Sequence, residues 1–410
     1  MATYYVEAQH RITDVNAASY APGDSILFNR GCVWTGTRLN LTQSGELGNL
    51  ITYGAYGVGP KPVLVYDDAT YPTIYCHTPD IHDFKVENLE LKNALRGSCL
   101  IINTTGAARI YIDAVDVSVC GDKPIFLVGI DTFEVMRCNI TAGVNSGITA
   151  YGSPVTPICN GIISYNTLNG QGTCTNDGIG IHEDSALNHC GDHFLISHNI
   201  IHGYHEQAID HQCPGNYVVI EDNECYGNGD DGIISRNFHT IIRRNKCYGN
   251  GRYGIIIDAT EAHPAGDISL FDNDCHDNGR VDILIVGHVD GLKVRGNTGT
   301  YQGQEGDPMA TENMVEFSLE VTAPPGWFLE IAPATLTVVQ GTPAVFTVTT
   351  RSEGGYISPI TLTVEDLPEG VTATIAPNPI SQDGTATVTI PTAAIPKNAR
   401  LALTLKGVGA

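Results

Sequence analysis

The sequence has little charge, few methionines and tryptophans, and no long apolar or helical segment. Of its 410 residues 16% are charged, and only 4 are Met and 2 are Trp. No stretch places apolar residues at the i, i+3, i+4, i+7 spacing of an amphipathic helix, which excludes a mainly helical fold. No segment stays apolar over the roughly 20 residues that a transmembrane helix needs, so membrane insertion is not expected. The chain opens with Met1 and shows no signal peptide.

Basic residues are the scarcest charged class. The 22 Lys and Arg stand against 45 Asp and Glu, which gives a formal net charge of −23 at pH 7. Phosphates would be repelled, so nucleic acid and anionic membranes are not expected as partners. An anionic substrate would need local positive charge or bridging cations at its binding site.

What the sequence has in excess suits short strands and tight turns. It contains 45 Gly, and Asn, Thr and Ile are also frequent. β-branched residues pack well on pleated surfaces, and Gly and Asn tolerate the positive φ of turns. Among the 12 cysteines, Cys225, Cys247 and Cys275 occupy one repeated position. We interpret these three as small apolar core residues of a repeat and not as metal ligands.

One asparagine recurs through the middle of the chain at separations of 22 to 33 residues. The positions are Asn139, Asn166, Asn199, Asn223, Asn245, Asn273 and Asn297. Nine residues after most of them comes a short apolar run, and the runs are 147–151, 178–182, 208–212, 232–236, 254–258 and 282–286. This pattern is typical of a parallel β-helix, whose stacked coils bury a core that no coil buries alone. It extends upstream through Asn88 and Asp116, and residues 23–34 resemble a first coil and cap.

The pattern changes after residue 310. Alternating strands separated by Pro and Gly turns follow, as in 344–349 and 385–390, and they predict a small β-sandwich. We therefore predict an all-β chain: a right-handed parallel β-helix over 1–310, a linker over 311–330 and a sandwich over 331–410. The last part resembles the immunoglobulin-like modules that many bacterial secreted enzymes carry.

The strand register predicts which side chains share the outer surface of the β-helix. Side chains alternate inward and outward along a strand, and adjacent coils stack about 4.8 Å apart. One outward column then holds Thr149, Gly180, Asp210, Ile234 and Ile256, and a second holds Tyr151, His182, Gln212, Arg236 and Asp258. Insertions at 152–159, 184–192 and 260–266 are expected to wall a groove across this polar patch.

Histidines crowd around the patch. Seven of the 14 lie between His182 and His211, which leaves metal binding as a rival interpretation, although no compact zinc spacing such as H-E-x-x-H occurs. His211 points inward by register and is expected to be a core residue. His182 is the main candidate for chemistry.

The run from Asp177 to Glu183 is similar to a motif of alginate C5-epimerases, Tyr-Gly-Phe-Asp-Pro-His-Glu. Gly178, His182 and Glu183 match, whereas Asp177, Gly180 and Ile181 depart from the motif. The resemblance implies a β-helical carbohydrate-active protein related to these epimerases and to polysaccharide lyases, with a polysaccharide substrate and a secreted or cell-surface location. Polygalacturonases share the fold, but only Asp230-Asp231 echoes their paired acidic motif, and their Gly-His-Gly and Arg-Ile-Lys motifs are missing.

The leading functional prediction is β-elimination or epimerisation at a uronic acid. This chemistry needs a base, an acid and a cation that stabilises the enolate. His182 is the predicted base, Tyr151 the acid or second base, and Arg236 the partner of the substrate carboxylate, while Asp210 orients His182 or raises its basicity. Glu183, Gln212, Glu206, Asp231 and Asp258 are expected to bind substrate. A calcium ion held through Asp258 or Glu261 could offset the acidic surface.

Two other functions remain open. Inverting glycoside hydrolysis needs two carboxyl groups about 6.5–9.5 Å apart, and Asp210, Asp231, Asp258, Glu183 and Glu206 are the candidates for this pair. A glycan-binding, adhesin or tail-fibre role without catalysis is the third, because a fold does not decide a function.

Overall fold

The computed structural model describes residues 1–93, 95, 97–141, 144–152, 156–182, 191–212, 215–259, 265–303, 314–322, 327–333, 335–339, 343–352, 359–380, 384–395 and 400–409. The chain forms two compact units, Met1–Ala310 and Thr311–Ala410. Within the described ranges, no helix has the length and apolar character to cross a bilayer.

The described residues of the first unit form one short helix, α1 (Ile12–Ala17), and 31 strands. Its N-terminal strands are β1 (Thr3–Val6), β2 (Ser25–Asn29), β3 (Val33–Thr35), β4 (Leu39–Asn40), β5 (Ile51–Tyr56), β6 (Val63–Val65), β7 (Ile74–Cys76), β8 (His82–Glu87), β9 (Glu90–Asn93), β10 (Leu100–Asp113), β11 (Asp116–Cys120), β12 (Ile125–Met136) and β13 (Asn139–Ile140). The next strands are β14 (Ile148–Tyr151), β15 (Cys159–Ser164), β16 (Thr167–Asn169), β17 (Ile179–His182), β18 (Leu195–Ser197), β19 (Ile200–His202), β20 (Ile209–His211), β21 (Val219–Glu221) and β22 (Glu224–Tyr226). The last are β23 (Ile233–Ser235), β24 (Ile241–Arg243), β25 (Lys246–Tyr248), β26 (Ile255–Ala259), β27 (Ser269–Phe271), β28 (Asp274–His276), β29 (Ile283–Gly287), β30 (Lys293–Arg295) and β31 (Tyr301–Gln302).

Every third strand pairs in parallel with its counterpart one coil away, which gives three parallel sheets around one core. The front sheet, defined here as β14, β17, β20, β23, β26 and β29, carries the polar patch. A second sheet contains β15, β18, β21, β24, β27 and β30. The third sheet contains β16, β19, β22, β25 and β28. The parallel β-helix predicted from the repeat is therefore confirmed.

The core is built from identical positions of successive coils. The first residue of each front-sheet strand is an isoleucine that is at most 2% exposed, from Ile148 through Ile283. On the opposite side Cys225, Cys247 and Cys275 are fully buried free thiols, as predicted. His211 is fully buried too, and burial lowers its pKa to about 4, so it lies in the core as a neutral imidazole.

A ladder of asparagine amides links the coils at the bend before the third sheet. The ladder runs through Asn166, Asn199, Asn223, Asn245, Asn273 and Asn297, each buried or half-buried. After Asn166, each side-chain oxygen accepts both the backbone N–H and the amide N–H of the preceding ladder residue, as Asn223 does from Asn199 at 3.0 and 2.9 Å. Each amide also donates to a backbone carbonyl, as Asn223 does to Ile196 at 2.9 Å. The ladder therefore satisfies backbone groups that no strand pairing reaches.

The predicted start of this ladder was wrong. Asn139 is exposed and pairs with Thr167, whereas Cys138 occupies the ladder position and donates its backbone N–H to Asn166 at 2.9 Å. Asp116 is in register with Asn139 and lies off the ladder for the same reason. A one-residue shift moves a side chain to the other face of a strand, so the upstream polar residues do not continue the ladder.

A second ladder, which the sequence analysis missed, runs along the opposite bend. Asn228 donates to Asn250 at 3.0 Å, Asn250 to Asn278 at 3.0 Å, and Asn278 to Asp282 at 2.8 Å. These residues follow the third-sheet strands, so both ends of that sheet are fixed by amide stacks.

The second unit is built from two four-stranded sheets. Its strands are β32 (Met314–Thr322), β33 (Trp327–Ala332), β34 (Thr335–Val339), β35 (Ala344–Ser352), β36 (Ile360–Glu365), β37 (Thr374–Ala376), β38 (Thr385–Ile390) and β39 (Arg400–Gly409). One sheet has the order β34-β32-β39-β36 and the other β33-β35-β38-β37. Buried residues of both, among them Phe346, Val388, Leu362 and Leu405, form one apolar cluster.

The linker predicted over 311–330 was wrong. Residues 314–322 form β32, which pairs antiparallel with β34 and parallel with β39, and β33 begins at Trp327. The missed signal is the strict alternation of Val315, Phe317, Leu319 and Val321 with polar residues, which is typical of a half-buried strand.

Replacing Asn223 by alanine tests the ladder. The substitution removes the acceptor for two donors of Asn199 and leaves the Ile196 carbonyl without its donor. Because each buried polar group without a partner costs about 1–3 kcal/mol, we expect the free energy of unfolding to fall by at least about 2 kcal/mol in urea titrations. The control Asn139→Ala removes an exposed amide outside the ladder and should change it by less than about 0.5 kcal/mol. Equal effects of the two variants would contradict the ladder's role.

Candidate functional site

The outer face of the front sheet brings the predicted site residues into two adjacent columns. Gly180 lies between Thr149 and Asp210 in one column, and Tyr151 is in register with His182 in the next. Arg236 and Asp258 continue the second column, since their side chains are joined at 2.7 Å across one coil. The predicted register therefore agrees with the observed one.

His182 is held against a buried carboxylate that precedes its own strand. Its Nε2 lies 3.5 Å from Oδ2 of Asp177, whose side chain is 4% exposed. To reach Asp177 the imidazole folds back over Gly180, where a β-carbon would lie 2.4 Å from Nε2. Gly180 therefore provides the space in which the His182 ring lies.

Asp210 is tied to Arg236 and Asp258 through Gln212. The Gln212 amide donates to Oδ2 of Asp210 at 2.6 Å, and its oxygen accepts from the Arg236 guanidinium. Arg236 donates from Nε to Asp258 at 2.7 Å. Polar side chains from three consecutive coils thus form one continuous chain of hydrogen bonds that ends at Asp210.

Burial and mutual charge shift the acid–base properties of this cluster. Burial, reinforced by the neighbouring Asp177, raises the pKa of Asp210 to about 8, so Asp210 is mostly protonated at neutral pH. Burial opposes the charged form of His182, but the hydrogen bond and the charge of Asp177 outweigh it and raise the pKa of His182 above its usual value of 6.5. The sequence analysis gave Asp210 the role of orienting His182 or raising its basicity. In the structure the carboxylate that contacts His182 is that of Asp177 on the same coil, while Asp210 accepts from Gln212.

Tyr151 covers the other side of His182. The two ring centroids lie 5.2 Å apart at an interplanar angle of 36°, and Phe126 packs edge-on against Tyr151 at 5.7 Å. Aromatic packing on the preceding coils therefore fixes the position of Tyr151 beside the imidazole.

The remaining predicted residues differ in their surroundings. Burial raises the pKa of Glu206 and of Asp231, and Asp231 is only 1% exposed. Asp258, a predicted calcium ligand, pairs with Arg236 at 2.7 Å. Glu183 and Glu261 lie outside the described residues, as do 153–155, 183–190 and 260–264, which make up most of the predicted groove walls.

One group of side chains has the donor types of a metal site. Donor atoms of Asp177, His182 and Asp210 all lie within 4.8 Å of one another. Calcium prefers six to eight oxygen ligands, so two carboxylates and an imidazole fit a transition metal better than calcium. We interpret the group as an acid–base cluster, since Asp210 already accepts from Gln212 and Asp177 from His182.

The sequence analysis missed a third outward column, which lies two residues before the isoleucine that begins each strand. It holds Asp177, Gln207, Asp231, Tyr253 and Val281. Strand alternation gave no signal for this column, because a residue two positions before an inward isoleucine is expected to point inward as well.

An open cavity of about 300 Å³ lies on the front sheet beside the cluster. Its lining includes Gln212, Arg236 and Asp258 on one side and Gln207, Asp231, Arg252 and Tyr253 on the other, with Ile234, Ile256, Leu284 and Val286 between them. The site therefore combines a polar cluster with an adjoining apolar floor, an arrangement common in ligand sites.

Residues 125–298 match the family model for the right-handed β-helix region. No curated protein sequence matches the chain. Similar solved structures include an alginate lyase from Paenibacillus sp. str. FPU-7, at 16% identity over 70% of this chain and 99% of that one, with a TM-score of 0.41. A mannuronic-acid-specific polysaccharide family 6 lyase from human gut microbiota is similar at 12% identity over 75% of this chain and 84% of its own, with a TM-score of 0.47. A GH136 lacto-N-biosidase from Eubacterium ramulus is similar at 14% identity over 74% and 67%, with a TM-score of 0.38.

Replacing Gly180 by alanine tests whether its missing side chain positions His182. The added methyl group would lie 2.4 Å from Nε2, so the ring must rotate away from Asp177. We expect the pKa of His182, followed by NMR, to fall, because burial still disfavours the cation while the Asp177 hydrogen bond is lost. Asp177→Asn should shift the pKa in the same direction without moving the ring. An unchanged pKa in both variants would show that Asp177 does not act on His182.

Proposed function

We propose that this chain is a polysaccharide lyase or epimerase that acts at a uronic-acid residue. One observation carries the proposal: a base, an aromatic hydroxyl and an arginine occupy one face of the front sheet. His182 lies beside Tyr151 at 5.2 Å between ring centroids. Arg236 joins the same hydrogen-bonded chain as Asp210.

His182 serves as the base that removes the C5 proton. Its Nε2 faces Asp177, which fixes the ring and leaves Nδ1 as the nitrogen that takes the proton. Asp177 stabilises the imidazolium that forms, in the way a carboxylate supports a catalytic histidine. Tyr151 protonates the leaving oxygen in elimination or the opposite face of the ring in epimerisation.

Arg236 is the cation that pairs with the substrate carboxylate. It also stabilises the negative charge that develops on this group during the reaction. It is held by Asp258 at 2.7 Å and by Gln212, so its orientation is fixed before the substrate binds, as electrostatic catalysis requires. The raised pKa of Asp210, about 8, keeps that carboxyl neutral at pH 7 and limits repulsion of an anionic sugar. Asp210 acts through His182 and Gln212 as a positioning residue, since its Oδ1 is buried.

The activity should depend on His182. With alginate, pectate or glucuronan, elimination gives an ultraviolet-absorbing unsaturated product, and epimerisation exchanges the C5 proton with D2O, which NMR detects. We expect His182→Ala to lower either rate by about 10²–10⁴, the usual contribution of general acid–base catalysis. The control His276→Ala alters a half-buried histidine on the third sheet, away from the front sheet, and should leave the rate unchanged. Full activity in His182→Ala would reject the proposed base.

The two carboxylates of the cluster should control opposite limbs of the pH profile. His182 must be neutral to accept a proton, so the rate should rise with pH through a pKa above 6.5. Above about pH 8 Asp210 ionises and repels the anionic substrate, so the rate should fall. Asp177→Asn should move the acid limb to lower pH, and Asp210→Asn should remove the decline near pH 8. Profiles unaltered in both variants would contradict the assigned roles.

Inverting hydrolysis is a second candidate because of Asp231. This residue is buried, has a raised pKa and lines the same cavity as Asp258. Asp177 and Asp210 cannot form the pair, since their oxygens lie within 4.8 Å and inversion needs about 6.5–9.5 Å. Hydrolysis would be favoured over the proposed reaction if the chain produces new reducing ends without an unsaturated product and the Asp231→Asn variant no longer produces them. Binding of polysaccharide with neither product would favour a role without catalysis.

A further inference from the structure

Along the axis of the β-helix, the side chains of the front sheet change from mainly acidic to arginine and apolar ones. The coils that carry Asp177, Glu206, Asp210, Asp230 and Asp231 are acidic. The two following coils replace these residues with arginine and apolar side chains. Backbone hydrogen bonds show the stacking directly: the N–H of Arg252 donates to the Asp230 carbonyl at 2.8 Å, and the N–H of Arg280 donates to the Arg252 carbonyl at 2.7 Å.

The apolar side chains of these coils form a cluster on the outside of the sheet, separate from the solenoid core. Ile234, Tyr253 and Ile256 are at most 9% exposed, and Val281, Leu284 and Val286 pack against them with partial exposure. From Tyr151 to Gln212 the outward positions of the front-sheet strands hold polar or aromatic side chains, apart from Gly180. This floor continues the site from the polar cluster into the cavity of about 300 Å³.

Two arginines flank Tyr253 at the edge of this floor. The Arg252 guanidinium carbon lies 5.3 Å from the ring centroid and that of Arg280 lies 5.7 Å away. Arg252 is paired with Asp230 at 3.4 Å and lies 3.9 Å from Asp231. Arg280 donates to the Tyr253 hydroxyl at 3.2 Å, and within the described ranges no carboxylate forms an ion pair with it. Arg280 is exposed, so its charge is available to a ligand.

We propose that the coils bearing Tyr253 and Arg280 form a subsite for an anionic sugar, three to four coils from His182. The apolar face of the sugar lies on Tyr253, Ile256 and Leu284, and its carboxylate pairs with Arg280. This inference rests on the proposed function and names the substrate more closely: a polyuronate chain that runs along the β-helix axis. At about 4.8 Å per coil, the subsite lies roughly 14–19 Å from the reacting sugar. A net charge of −23 makes such a local cation necessary for a polyanion to bind.

Binding is measured by calorimetry with uronate hexamers and their carboxyl-reduced, neutral analogues, in a His182→Ala background that does not turn over. We expect Arg280→Ala to raise Kd for the uronate hexamer about tenfold or more, since a charge-assisted hydrogen bond contributes about 1.5–3 kcal/mol. Tyr253→Phe keeps the ring, removes the hydroxyl that holds Arg280, and should give a smaller rise. The control Arg30→Ala removes an arginine whose guanidinium donates to the Gly59 carbonyl at 3.2 Å, and it should leave Kd unchanged. In the active protein Arg280→Ala should raise KM and leave kcat unchanged.

An unchanged Kd in Arg280→Ala, or equal affinity for the neutral hexamer, overturns the subsite. The results of the binding and activity measurements also distinguish failure of the subsite from failure of the proposed reaction. Binding that depends on Arg280, with no unsaturated or epimerised product from the unaltered chain, supports the subsite and rejects the reaction. Product formation that does not depend on Arg280 at any oligomer length supports the reaction and rejects the subsite.

Discussion

The register of the coils is the constraint on which the rest of the structure depends. Asn199, Asn223 and Asn245 each accept two hydrogen bonds from the ladder residue before them, and this leaves little freedom for one coil to slip past another. A shift of one residue would turn His182 and Arg236 into the core and bring isoleucines to the surface. The amide ladder therefore fixes the geometry of the front sheet, although it lies on the other side of the solenoid core.

The polar cluster on the front sheet makes the folded protein less stable than apolar side chains at the same positions would. Oγ1 of Thr149 and Oδ1 of Asp210 are buried without a hydrogen bond among the described residues, and each such group costs about 1–3 kcal/mol. Both lie in the column of Gly180, next to the column of Tyr151 and His182. A protein that needed only a stable solenoid would place apolar residues there, as it does at Ile234 and Ile256. Local costs of this kind are typical of functional sites.

The sequence predicted the β-helix and the two outward columns because both follow from a strict period. It did not predict which residue holds His182. Asp177 precedes the strand, and its contact depends on a ring rotated over Gly180, which no repeat encodes. The start of the ladder was missed because Asn139 and Asn166 look equivalent in sequence although Cys138 occupies the position. The sequence analysis predicted a linker between the two domains, and this segment contains the strand at 314–322. The alternation of apolar and polar residues within it was therefore not interpreted as a strand.

The central claim is that substrate lies along the front sheet with its reacting sugar at His182. A crystal structure of the His182→Ala variant with a bound uronate tetramer tests it most directly. The account predicts a sugar chain parallel to the β-helix axis, with one C5 atom next to Tyr151 at the space left by the imidazole and that sugar's carboxylate on Arg236. An oligosaccharide bound to another face of the solenoid, or bound here with its carboxylates turned away from Arg236, would contradict it.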